Sequence, residues 1–176
     1  MIKGLEGANI IWAGHDLRDV NYQHPSQLCT KDDYVFTFVR NPYTRVLSSY
    51  FYLLDGGNCT EDVNDAVLLG IKTMDVNEFV EKRLELAAQW QIHFLTQSFY
   101  LHNVANIEIF YYEELPQRFN ELCNKFGLSA RKLPQINMSK AKVSKRHKLT
   151  NKAINIIRDV YAEDYRRFNY SNHLQP

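Results

Sequence analysis

Two guanidinium groups and a hydroxyl fall close together in the segment Arg40-Asn41-Pro42-Tyr43-Thr44-Arg45-Val46-Leu47-Ser48. Arginine presents a rigid fork of donors that matches phosphate oxygens, and a serine hydroxyl adds one more. Asn41-Pro42 is a helix-start signal, a capping side chain followed by proline at the first helical position. A helix N-terminus contributes backbone N–H groups and partial positive charge. Arg40, Arg45 and Ser48 around it make a set suited to a multiply charged phosphate. The plainer alternative is that Asn41 only caps a helix while both arginines form surface ion pairs.

The elements that must position this set can be read on either side. Residues 34–39 are a β-branched and aromatic run of strand length, which ends the strand at Arg40. From there Tyr43, Val46, Leu47, Tyr50, Phe51 and Leu54 recur at helical spacing as one core-facing stripe. Arg45, Ser48, Ser49 and Tyr52 are expected on the opposite side, and Gly56-Gly57 stops the helix. A second strand is expected at residues 107–112, followed by Glu113-Glu114-Leu115 and a helix stopped by Gly127. Ligands of open α/β sheets gather at strand C-terminal ends, so Glu113 either contacts an acceptor or caps the next helix. Trp90, His93, Phe94 and Gln97 are expected on one helix face. His93 there lines an acceptor pocket or is a half-buried structural histidine. Residues 55–73 are the least regular stretch and read as a surface insertion in preference to a substrate loop.

The order Arg40-Asn41-Pro42, Arg45, Ser48, Ser49-Tyr50 resembles the 3'-phosphate motif of sulfotransferases, in the family that includes bacterial sulfotransferases and Golgi carbohydrate sulfotransferases. The resemblance continues through Gln97-Ser98, through an Asn-x-Ser basic loop around Asn137, Ser139, Lys140 and Lys142, and to a last helix ending with Tyr161, Asp164, Phe168 and Tyr170. It covers residues 34–170. It implies a P-loop-kinase-like α/β fold, a mainly parallel sheet flanked by helices, and PAPS (3'-phosphoadenosine 5'-phosphosulfate) as sulfuryl donor without a metal. Arg40 and Ser48 would hold the 3'-phosphate with Arg45 beside them, and Ser139, Lys140 and Lys142 would close over the donor. The acceptor would be a hydroxyl, most in keeping with a carbohydrate, met by His93, Gln97 and Glu113.

One part of the family pattern is absent from this sequence. Members open with a strand and a Pro-Lys-Thr-Gly-Gly-Thr-Ser-like loop that grips the 5'-phosphosulfate. Here the first candidate strand, residues 9–12, leads into Ala13-Gly14-His15. The expectation is an N-terminally incomplete domain with a sheet edge open to self-association. Sulfuryl transfer also needs a base for the acceptor hydroxyl. His15 is the candidate, because carbohydrate 2-O-sulfotransferases similarly place a histidine after the strand preceding the arginine-bearing one, and the equal alternative is a helix-capping or structural histidine. A noncatalytic remnant that keeps a 3'-phosphate or polyanion site is the alternative.

Length and composition bound the rest. With 176 residues and 45% hydrophobic content, one domain spanning 1–176 with a real core is expected. Residues 122–158 hold ten of the 21 Lys and Arg residues and none of the 20 Asp and Glu. The positive stretch suits an anionic donor or acceptor. Nucleic acid is disfavoured, because no nucleic-acid motif or aromatic stacking platform accompanies it. Cys29, Cys59 and Cys123 are widely spaced, without a zinc or disulfide pattern. With no membrane segment in the sequence, a bacterial-type cytoplasmic location is expected, or the Golgi lumen if an anchor precedes Met1.

Overall fold

The computed structural model of the protein describes residues 23–30, 32–128 and 148–170. His15, Ser139, Lys140 and Lys142 lie outside the described residues. The chain divides into two compact units, Met1–Arg40 with Tyr100–Ile136, and Asn41–Phe99 with Asn137–Pro176.

The first unit holds helix α1 (Pro25–Leu28) and strand β1 (Val35–Val39). Strand β1 pairs in parallel with a second strand, Ile107–Tyr111, which is β2 in this chain, in a register from Val35 opposite Ile107 to Val39 opposite Tyr111. A parallel pair cannot close through a tight turn, and here residues 40–106 make the crossover. Phe36, Phe38 and Phe110 interlock, with the Phe38 and Phe110 ring centroids 5.4 Å apart. Phe36 also packs on the buried Phe119 and Cys123 of the helix Leu115–Lys125, which is α7 in chain order. That helix ends as expected. Gly127, at φ 65°, donates to Asn124 O while Leu128 donates back to Cys123 O at 2.8 Å, a left-handed closure that glycine adopts without steric cost.

The second unit is helical: α2 (Pro42–Leu54), α3 (Thr60–Leu68), α4 (Val76–Lys82), α5 (Leu84–Trp90), α6 (Gln97–Tyr100, its last residue in the first unit), α8 (Asn151–Val160) and α9 (Ala162–Arg167). Its core gathers Val46, Leu53, Phe79, Leu84, Phe94, Ile157 and Tyr161. Burying an aliphatic or aromatic side chain of this size contributes about 1.5–3 kcal/mol. α2 starts where Asn41-Pro42 predicts, with Asn41 Oδ1 accepting the Tyr43 N–H at 2.9 Å. It stops at Gly56 and Gly57, which donate to Leu53 O and Tyr52 O.

Four expectations change. The polar side of α2 is not all solvated: Ser49 is buried and donates to His93 O at 2.9 Å, and Tyr52 is half-buried. The segment 91–97 covers that side, a contact invisible to helical periodicity. Residues 55–73 form α3 and a single helical turn, Ile71–Thr73, and bury Ala66, Leu69 and Ile71. Asp62, on the same inward face, had masked the stripe. Trp90, His93, Phe94 and Gln97 share no helix face, because the chain leaves α5 at Gln91. The buried Gln91 side chain accepts His93 N–H at 2.7 Å and donates to Asp65 at 3.3 Å, closing a turn there. The last helix is broken at Tyr161, giving α8 and α9.

Candidate active site

In the first unit the site residues lie at the C-terminal end of the parallel pair. Arg40 follows the Val39–Tyr111 register pair, and its guanidinium carbon stands 4.7 Å from the centroid of the Tyr112 ring. Such a stack holds the planar cation in place without using up its charge. Glu113 is exposed in the single turn Tyr112–Glu114 beside them. The N-cap of α7 is Glu114, whose side chain makes no capping hydrogen bond.

In the second unit the first two turns of α2 carry Arg45 and Ser48, both half-buried. Among the described residues neither side chain makes a hydrogen bond or an ion pair. The charge of Arg45 reaches Tyr161, whose pKa is raised by burial, with Arg45 opposing the rise. The Tyr161 hydroxyl is committed elsewhere, donating to Phe94 O at 2.6 Å.

The acceptor candidates His93 and Gln97 belong to one tightly held segment. His93 Nε2 lies 3.3 Å from Asp62 Oδ1, and its ring meets Tyr52 edge-on at 4.8 Å. Asp62 is only 2% exposed, and its other oxygen accepts the Tyr52 hydroxyl at 2.7 Å and the Asn58 N–H at 3.1 Å. Burial and then the Asp62 carboxylate raise the Tyr52 pKa, so Tyr52 keeps its proton and remains the donor. Four residues on, the buried Asp164 accepts the N–H groups of Gln97 and Ser98, each at 2.8 Å. Arg167 donates to Ser98 O at 3.3 Å.

The family model of the Sulfotransferase family matches residues 13–171. The chain belongs to the sulfotransferase family. No curated protein and no solved structure matches it. The matched span runs through both units of this sulfotransferase and contains Arg40, Arg45, Ser48, His93, Gln97 and Glu113. Membership makes the protein a transferase of sulfuryl groups, which implies a hydroxyl-bearing acceptor. Among the described residues no group of three or more His, Cys, Asp or Glu is placed to hold a metal ion, and no helix is long and apolar enough to cross a membrane.

Sequence reasoning missed Asp62, placed Tyr112 at the ligand end of a strand without a role of its own, and assigned no role to Asp164. Asp164 did leave a signal: with Tyr161, Tyr165 and Phe168 it falls on a helical stripe that is otherwise aromatic, and a carboxylate on such a stripe must find buried donors. For Asp62 the signal was weaker. Nothing local links a carboxylate at the start of α3 to a histidine 31 residues later.

Proposed function

We propose that this sulfotransferase takes its sulfuryl group from PAPS and delivers it to a carbohydrate hydroxyl. The observation that carries the reading is the pairing of Arg45 and Ser48, both without a partner among the described residues, next to a capped helix start. These donors fit a phosphate, which needs several convergent N–H and O–H groups. Arg40, on the far side of the Asn41-Pro42 turn in the chain, joins them in the 3'-phosphate role.

The remaining roles follow from chemistry. The donor supplies an activated sulfuryl group and a phosphate leaving group. His15 takes the proton from the acceptor hydroxyl as its oxygen bonds to sulfur. Ser139, Lys140 and Lys142 cover the donor and offset charge on the leaving phosphate. His93, Gln97 and Glu113 offer the mixed donors and acceptors that a hydroxyl-rich sugar requires. Both units then form one transferase domain, with β1 and β2 part of a P-loop-kinase-like, mainly parallel sheet. The parallel pairing and the ligand candidates at its C-terminal end support that architecture.

Calorimetry with adenosine 3',5'-bisphosphate tests the donor assignment. Arg40→Ala should weaken binding about 10- to 150-fold, the worth of a charge-assisted hydrogen bond, and Ser48→Ala less. Parent-like affinity in Arg40→Ala would remove the assignment. Transfer from radiolabelled PAPS to a panel of carbohydrates tests the acceptor class. In that assay His15→Ala should lower kcat about 10²- to 10⁴-fold with donor affinity nearly intact.

A further inference from the structure

A second pair of donors in the second unit is buried without an acceptor. Tyr165 is 4% exposed, and among the described residues neither its hydroxyl nor the buried Nε of Arg158 has a hydrogen-bond partner. Arg158 on α8 and Tyr165 on α9 are seven residues apart, flank Tyr161, and belong to helices that pack together. α2 packs on α8 as well, and Tyr43, Tyr161 and Tyr165 share one core. The Tyr43 amide, in the first turn of α2, lies close enough to act on the Tyr165 oxygen. Burial raises the Tyr165 pKa to about 12, against the opposing pull of the Tyr43 amide and of Arg158. That amide donates to Asn41 Oδ1.

Orphaned buried donors cost free energy. Among the described residues no carboxylate lies within ion-pair distance of Arg158. Asp164 is near Tyr165, but its two oxygens are engaged by the Gln97 and Ser98 amides. Arg158 is half-buried with its Nε enclosed, and its charge would repel a cationic ligand. An oxyanion accepts from the phenol and the guanidinium together, at the positive end of a 13-residue helix.

We infer that Arg158 and the Tyr165 hydroxyl, with the N-terminus of α2, form an anion subsite that binds a phosphate group of the donor nucleotide. This rests on the donor reading above and extends it to two residues on α8 and α9. Both residues are binding residues, and neither takes part in proton transfer.

Calorimetry on the full chain, with adenosine 3',5'-bisphosphate, adenosine 5'-monophosphate and inorganic phosphate as probes, tests the subsite. Tyr165→Phe removes an unpartnered hydroxyl, so its melting temperature should equal or exceed that of the parent. Its bisphosphate affinity should fall about fivefold, and that of Arg158→Gln about tenfold or more, with the 5'-monophosphate nearly unchanged. If both variants bind the bisphosphate like the parent while Ser48→Ala binds it more weakly, the subsite is wrong and the donor reading stands. If the parent shows no preference for the bisphosphate, the donor reading fails. Inorganic phosphate then decides the subsite by itself. A phosphate-induced rise in melting temperature that disappears in Tyr165→Phe upholds it, and the same rise in parent and variant overturns it.

Discussion

The fully buried carboxylate of Asp164 accepts the backbone N–H of Ser98 through Oδ1 at 2.8 Å, and its Oδ2 accepts that of Gln97 at the same distance. Helix α9 thereby fixes the segment that carries His93 and Gln97. Asp164→Ala would strand two buried amides. We expect a stability loss of about 2–4 kcal/mol by urea denaturation, with Asp164→Asn, which keeps one acceptor, losing roughly half as much. A loss below about 1 kcal/mol in Asp164→Ala would mean that the carboxylate is not what holds the segment.

Gly57 and Gly56 separate backbone strain from packing. Both have positive φ, 61° and 100°. A Cβ on Gly57 would stand 2.3 Å from the Asp62 Cβ, whereas a Cβ on Gly56 meets nothing within 4 Å. Gly56→Ala should cost about 1 kcal/mol from strain alone, and Gly57→Ala about 1–3 kcal/mol more as Asp62 is displaced. The His93 ring signals should shift in the NMR spectrum of Gly57→Ala only. Equal costs for the two variants would refute the close packing of Gly57 on Asp62.

Alkaline pH should weaken the fold through its buried phenols. Burial raises the pKa of Tyr50, Tyr52, Tyr161 and Tyr165, that of Tyr165 from the ordinary 10.0 to about 12. Above about pH 10 the unfolded chain releases phenolic protons that the native state retains. It then binds fewer protons, and stability falls with rising pH. The contribution of Tyr165 is fully present below about pH 10 and is lost as pH rises through about 12. Urea midpoints at about pH 9, 10 and 11 should decline, less steeply in Tyr165→Phe. Parallel declines for parent and variant would show that Tyr165 titrates alike in both states.

Tyr112 should act on donor binding through Arg40. Its ring, 46% exposed, carries the guanidinium at 4.7 Å. Tyr112→Leu should reduce affinity for adenosine 3',5'-bisphosphate about two- to fivefold and change stability by less than about 0.5 kcal/mol. In an Arg40→Ala background the Tyr112 substitution should have no further effect. An additive loss in the double variant would give Tyr112 a contact of its own.

Local chemistry in the sequence was enough to determine β1, β2, α2 and the stops at Gly56-Gly57 and Gly127. Strand runs, a capping Asn41-Pro42 and glycines at positive φ are decided by residues a few positions apart. The same locality exposed the spacing of Arg40, Arg45 and Ser48, and with it the family. Tertiary structure decided the rest. It turned the chain at Gln91, folded residues 60–68 as a core helix, and set Asp62 against His93 and Asp164 under Ser98. Each of these depends on a buried polar side chain finding donors or acceptors 26 to 67 residues away. Periodicity reports which face of a helix is apolar. It does not report which distant backbone group will satisfy a carboxylate once water has been excluded.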